Sequence, residues 1–367
     1  LQSIICRHSA SDRNYLKTSA VSLDGHGHGK TEPVQQHVLG RIQAPFLDTR
    51  RDAGLVKERR MRVAAIDIGT NTVLLLVAER DDTGTLVAIE ERAIITRLGE
   101  GVDRTRALLP AAVARTKTAI ETYAAVVRDL GVERIDVVGT SAMRDARGGE
   151  QVRAFVEEAL GVPARTISGD EESRLTFAGA LSGLPGLMPD TSVRVFDIGG
   201  GSTEIVHGAA FGIIAYAHSF DVGSVRLTER FVAHPSEPMT RAELGALRAF
   251  ALETFAEVPA LTSTLPPVGI AGTMTTIAAV AQGMEIYDGA RVHGSRLSVD
   301  TIEDVVSRLA QMPLSERSRI PGLEPKRADV IVAGGLIALA YLERAGAEDV
   351  MISDRGVRWG IAEQLAR

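Results

Sequence analysis

"VFDIGGGSTEIVHG", residues 195–208, is an apolar run that meets an acid, turns on three glycines and resumes as an apolar run. A looser copy, "AAIDIGTNTVLLLVAE", occupies residues 64–79, and the aspartates of the two copies, Asp67 and Asp197, stand 130 residues apart. That interval is roughly one domain length. The repetition points to a fold built twice, each half opening on two strands around a tight turn.

Composition agrees with a duplicated globular protein. The 367 residues are 45% hydrophobic and 24% charged, which is ordinary usage and enough chain for two cores. The first sixty residues differ: they begin with Leu, contain "SLDGHGHGKTEPVQQH" and show little apolar periodicity, so residues 1–60 are read as a disordered tail ahead of Met61. The "HGHG" stretch could bind a metal, but an unstructured polar leader is the simpler reading. The tail holds ten Lys and Arg against six Asp and Glu, which leaves 31 basic and 41 acidic residues in the body. An acidic body argues against nucleic acid gripped by a broad basic surface, and no nucleic-acid partner is expected. Cys6, the one cysteine, lies in the tail, so neither a disulfide framework nor a thiolate metal site is available and a reducing compartment is the natural setting. The longest apolar stretch, "VIVAGGLIALAYL" from Val330, is shorter than the roughly 18 residues that span a bilayer. The expectation is a cytoplasmic protein with no membrane partner.

From Met61 onward strands alternate with helices, the signature of a layered α/β fold with partly parallel sheets. "VAAIDIG", "VLLLVAE" and "LVAIEERAII" read as three strands, and Pro110 opens a helix that Gly131 stops. "IDVVGTSAMRDA" reads as a buried strand delivering Thr140, Ser141 and Arg144 at its carboxyl end. "GDEESRLTFAGAL" reads as a helix with Ser168 as N-cap and Glu171 reaching back to it in a capping box. "SGLPGLMPDTS" marks the boundary before the second copy, giving domains 61–188 and 189–355. In the second half "PVGIAGTMTTIAAV" reads as a strand, a turn at Gly272-Thr273 and a helix, and residues 284–297 as a polar loop.

The composition of the repeated unit suits phosphate. An aspartate near the end of a doubly buried strand emerges where side chains meet a ligand. Consecutive glycines lack Cβ atoms and let backbone N–H groups approach phosphate oxygens. Glu204 follows Asp197 by seven residues across the turn, so the two carboxylates can converge, and hard oxygen ligands of that kind suit Mg²⁺. A lone Asp-x-Gly turn is more often only a hairpin; two copies, the second followed by Ser202, Thr203 and Glu204, favour two half-clamps gripping a phosphate chain from opposite walls of a cleft. Glu172 is read either as an acid favouring the helix dipole or as a general base with a raised pKa. Arg144 is either a surface arginine or a guanidinium holding a phosphoryl group. Gly272 and Thr273 either contact phosphate at a helix N-terminus or form a plain turn.

With "AAIDIGTNT", "GTSAMRDA", "SGDEESRL", "FDIGGGSTE", "DVGSVRLTE", "AGTMTT", "PGLEPKRADVI" and "SDRGVR" in order over residues 61–367, the chain resembles the exopolyphosphatase/guanosine pentaphosphate phosphohydrolase (Ppx/GppA) family in its short two-domain form. The resemblance implies two ribonuclease-H-like domains of the actin/hsp70/sugar-kinase superfamily around a cleft, with the helix at about 356–367 packing back on the first domain, and a homodimer. It implies Mg²⁺-dependent hydrolysis of the terminal phosphate of inorganic polyphosphate, with guanosine pentaphosphate as the alternative substrate and a non-catalytic nucleotide sensor as the alternative class. It further implies Glu172 as catalytic base, Asp197 and Glu204 as the metal-organising acids, and Gly199, Gly200, Gly201 and Ser202 along the phosphate path. Asp67, Gly69, Asn71, Arg144 and Thr273 complete the site from the other walls. Without the helical C-terminal extension of longer members, processive handling of long polyphosphate is in doubt.

Overall fold

The computed structural model describes residues 4–6, 60–210, 212–260, 263 and 265–367, all belonging to one structural unit. The residues read as a tail lie outside the described residues apart from Ile4–Cys6 and Arg60. Two six-stranded mixed sheets form the frame of two lobes.

In the first lobe the strands are β1 (Ile4–Cys6), β2 (Arg62–Ile68), β3 (Thr72–Arg80), β4 (Leu86–Ile95), β5 (Arg134–Gly139) and β6 (Ala164–Thr166), ordered β1-β4-β3-β2-β5-β6. β2, β3 and β4 run antiparallel in sequence, whereas β2, β5 and β6 are parallel. The second lobe repeats this with β7 (Ser192–Ile198), β8 (Thr203–Ala209), β9 (Ile214–Phe220), β10 (Val268–Ile270), β11 (Arg296–Ser298) and β12 (Asp349–Ile352), ordered β11-β12-β10-β7-β8-β9. Here β7, β8 and β9 are antiparallel and β7, β10 and β12 parallel. Leaving out the edge strands β1 and β11, the two orders superimpose as three-two-one-four-five. This is the ribonuclease-H-like arrangement, made twice. β2 and β7 are central strands covered on both faces, which is why they are buried at nearly every position and lack a strict apolar/polar alternation.

Helices Pro110–Asp129 and Gly149–Leu160 cover one face of the first sheet through Val113, Ile120, Tyr123, Val127, Val152 and Val156. On the second sheet the matching layer is Arg241–Phe255, Ala271–Ala281, Val299–Ala310 and Ile331–Ala345. Between the lobes lies the helix Gly169–Leu181. Its Leu175 packs with Val63, Ala65 and Leu76 of the first sheet, and its Phe177, Ala180 and Leu181 pack with Val193, Val195 and Val206 of the second. Helix Val357–Leu365 joins it on the first sheet with Trp359 and Ile361; burying an aliphatic chain such as Leu175 or Ile361 stabilises by about 1.5–3 kcal/mol. These two helices touch backbone to backbone: a Cβ on Gly179 would lie 2.0 Å from the Gly356 carbonyl oxygen, and one on Gly360 2.2 Å from that of Leu175. Only glycine permits this approach.

Local departures from expectation have physical causes. Ser168 does cap the helix, its Oγ accepting from Glu171 N at 3.2 Å, but the Glu171 side chain pairs with Arg165 instead of completing the capping box. Gly272 and Thr273 do not form a separate turn: the helix begins at Ala271, which takes the reversal itself with φ 61°. Thr140 leads directly into a short helix, Ser141–Asp145, and the loop at 284–297 contains a helical turn, Gly289–Val292, and the start of β11. Among the described residues no helix is long and apolar enough to cross a membrane.

Candidate active site

The two copies of the repeated unit make the same turn. Gly69 N donates to Thr72 O at 3.1 Å, and Gly199 N donates to Ser202 O at 3.0 Å. The turns face each other: a Cβ on Gly201 would stand 3.0 Å from Thr70 Oγ1 and 2.5 Å from Ser141 Oγ, both of the first lobe. Asp67 and Asp197, penultimate in β2 and β7, are therefore brought into one cavity of about 810 Å³.

The glycine turn of the second lobe is held from behind by the helix Ser224–Phe231. Ser224 N donates to Gly199 O at 2.9 Å, Val225 N and Arg226 N donate to Gly200 O, and Arg226 Nε donates to Gly201 O at 2.7 Å. In a planar trans peptide the C=O of one residue and the N–H of the next point in opposite directions. With three successive carbonyls turned toward that helix, the amides of Gly200, Gly201 and Ser202 face the other way, into the cavity these residues line. Such a row of convergent N–H groups is an anion cradle.

Acids gather opposite the cradle. Glu204 on β8 is the direct cross-strand partner of Asp197 and accepts from Ser219 Oγ at 2.6 Å. Glu172 enters from the first turn of the helix between the lobes and is 6% exposed. Arg144 Nη1 bonds Glu172 Oε2 at 3.0 Å and Ile167 O at 3.2 Å. Burial, then the charge of Glu204, push the Glu172 carboxyl well above its ordinary value, against the pull of Arg144. Asp197 is raised by burial and by Glu204 and Asp67, and Glu204 by burial against hydrogen bonds from Ser219 and Ser202. Asp67 is pushed up to about 7 by burial, partly opposed by Arg358. Asp67 Oδ1 and Asn71 Oδ1 are buried with no hydrogen-bond partner.

Such orphaned acceptors are what a hard cation would satisfy. Among the described residues no group of three or more His, Cys, Asp or Glu converges closely enough to hold a metal alone. The donor set thus fits an ion that completes its shell with substrate oxygens and water, the habit of Mg²⁺, better than an all-protein cage.

Of the residues anticipated from sequence, Asp67, Gly69, Asn71, Thr140, Glu172, Asp197, Gly199, Gly200, Gly201, Ser202, Glu204, Gly272 and Thr273 line this one cavity. Ser141 and Arg144 lie behind its wall. Ser141 Oγ donates to Asp145 Oδ2 at 3.1 Å, and Arg144 reaches the cavity through Glu172. Thr273 Oγ1 donates to Ile198 O at 3.2 Å, anchoring the end of β7, and Gly272 is pressed against the Arg327 guanidinium.

A family model described as the Ppx/GppA phosphatase family matches residues 76–366. The chain belongs to the Ppx/GppA phosphatase family. Exopolyphosphatase 2 of Mycobacterium tuberculosis is 39% identical over 323 residues, covering 83% of this chain and 98% of its own. A crystal structure of the Aquifex aeolicus family member is 33% identical with a TM-score of 0.70, covering 83% of this chain and 98% of its own. An exopolyphosphatase-like protein of known structure is 31% identical with a TM-score of 0.76, over 83% and 97% of the two chains.

Reading the sequence of this phosphatase misses the cations on the cavity wall, Arg319 and three others, Arg92, Arg327 and Arg358, that stand among its acids or press on its turns. Arg358 is held by Glu91, Oε1 at 3.0 Å, which also accepts from Trp359 Nε1 at 3.1 Å. Two of the three lie inside quoted motifs, "PGLEPKRADVI" and "SDRGVR".

Proposed function

We propose that this phosphatase is an exopolyphosphatase, removing the terminal phosphate of inorganic polyphosphate with Glu172 as general base. The observation that carries the reading is the buried Glu172 carboxylate, held by Arg144 and sharing one cavity with the amides of Gly200, Gly201 and Ser202. Substrate phosphates lie along the glycine turns, where inward amides spread the charge of the terminal group. Glu172 accepts a proton from water as the water oxygen bonds to the terminal phosphorus. The bond to the bridging oxygen breaks, and its electron pair leaves with the shortened chain. A raised carboxyl pKa makes Glu172 a stronger base, while Arg144 keeps part of the population ionised. Positioning and charge stabilisation carry most of such a reaction. Mg²⁺ bound by Asp197 and Glu204 would neutralise phosphate charge there.

A specific feature favours guanosine pentaphosphate as second reading: Ile286, Tyr287, Ile320, Pro321 and Leu323 line the cavity among the polar side chains of Glu285, Ser318, Arg319 and Glu324, apolar and hydrogen-bonding surface together of the kind a base requires. The test supplies purified protein and Mg²⁺ with short polyphosphate, long polyphosphate, guanosine pentaphosphate and ATP in turn and follows orthophosphate release. Fastest release from polyphosphate is expected. Fastest release from the guanosine nucleotide would replace the first reading with the second, and no release from any would end both.

A further inference from the structure

Arg226 sits in the helix behind the glycine turn, its side chain 6% exposed, and every nitrogen of its guanidinium is committed. Nε donates to Gly201 O at 2.7 Å, Nη1 to Asp103 Oδ1 at 2.9 Å and Nη2 to Asp145 Oδ2 at 3.1 Å, with Asp221 Oδ1 3.5 Å from Nη2. Asp103 and Asp145 belong to the first lobe. Asp103 is also gripped by Arg230 at 3.1 Å, and Glu229 of the same helix accepts from Gly101 N at 2.8 Å.

We propose that Arg226 is a positioning residue that sets the phosphate cradle of one lobe and the general base of the other from a single guanidinium. The carbonyls of Gly199 and Gly200 are fixed by backbone amides, but that of Gly201 is fixed by Arg226 Nε. Removing that donor frees the Gly201–Ser202 peptide to rotate, and with it the Ser202 N–H that faces the cavity. On the other side Asp145 accepts from both Arg226 and Ser141 and adjoins Arg144, the residue that holds Glu172. A fork of fixed geometry links cradle to base; the ammonium of lysine, a point donor on a flexible stem, cannot span Gly201 O, Asp103 and Asp145 together.

The inference rests on the phosphatase reading, and its test separates the two. Arg226→Lys and Asp145→Asn are compared with the full-length wild type, with Mg²⁺ and short polyphosphate as probe, for kcat, KM, melting temperature and amide hydrogen exchange. For Arg226→Lys, kcat is expected to fall by about 10- to 100-fold with KM within about threefold, in a protein that still melts cooperatively. Exchange is expected to accelerate both at residues 199–203 and at residues 141–146. Asp145→Asn, a milder change in the first lobe, is expected to accelerate exchange at 199–203 across the cleft. Unchanged kcat in Arg226→Lys, or acceleration confined to the lobe that carries the substitution, would overturn the linkage. If the wild type releases no phosphate from polyphosphate, the proposed substrate is wrong, and the exchange pattern alone still decides for or against the linkage.

Discussion

Glu204 stands directly across the β7–β8 ladder from Asp197, whereas the equivalent partner of Asp67 in the β2–β3 ladder is Leu74. The duplication is thus broken at this position, where the second copy sets two buried acids face to face. Directly opposed like charges destabilise a sheet by roughly 0.2–1 kcal/mol, more when desolvated. Folding gains nothing from this arrangement, so its use lies in the cavity. Glu204→Gln keeps an acceptor for Ser219 and removes the charge. The variant is expected to unfold at equal or higher denaturant concentration than wild type while phosphate release falls about 10²-fold or more. Urea melts and a steady-state assay on one preparation check both halves, and retained turnover would remove Glu204 from the machinery.

Glu172→Gln should cut turnover by about 10²-fold or more, the contribution of a general base, with substrate binding largely kept. Single-turnover measurements with saturating substrate separate the two effects. Wild-type turnover in this variant would assign proton acceptance elsewhere.

Asp67 contributes a separable part of the pH dependence. Its carboxyl titrates near 7 in the folded chain against an ordinary value of 3.8, so the folded state binds a proton that the unfolded chain has already lost. The protonated form's stabilisation is complete below about pH 4 and is lost as pH rises toward and through 7. For this buried group the loss is on the order of 2–4 kcal/mol. Without divalent cations, Asp67→Asn should make stability fall less steeply with pH over that window, the slope left by Glu172, Asp197 and Glu204 remaining, and exceed wild type above it. Parallel curves for the two proteins would contradict the assignment. Added Mg²⁺ should raise the wild-type melting temperature more above this window than below it, because the acids it would meet are then ionised.

Gly360→Ala tests the packing that holds Glu172. The new methyl would have to sit 2.2 Å from the Leu175 carbonyl oxygen, so the two helices must separate, at a cost of about 1–3 kcal/mol or more. Because Glu172 lies on the displaced helix, kcat should drop alongside the melting temperature. A variant as stable as wild type would mean the helices are not locked as described.

The repeated unit was legible because its chemistry is local: an acid at a strand end and glycines at a turn are adjacent in sequence. A duplicated, layered α/β fold and the convergence of Asp197 with Glu204 follow from it, whereas the ribonuclease-H-like architecture and the place of Asp67 rested on the resemblance to the family. Glu172 could be suspected only as a spare acid beside a cap, since its burial depends on a helix wedged between two sheets. Arg92, Arg327 and Arg358 were missed because each reaches the cavity from an element distant in sequence, where arginines elsewhere on the surface look the same. The Glu171 side chain went astray for a similar reason: Arg165, six residues before it, offered an opposite charge, and the N-cap backbone could not compete. The turn expected at Gly272-Thr273 falls one residue earlier, because Ala271, a non-glycine residue, carries the reversal there.

The helix Val357–Leu365 finishes the face of a sheet whose strands end at Thr166, so a ribosome must make the entire second lobe before that face is covered. Until then Val63, Ala65, Leu76 and Val138 are covered only in part, by Leu175 of the helix Gly169–Leu181, and the growing chain exposes apolar surface of the kind that makes folding intermediates prone to aggregate. A half-made chain therefore lacks the second wall of the cavity as well as the cover of its first sheet.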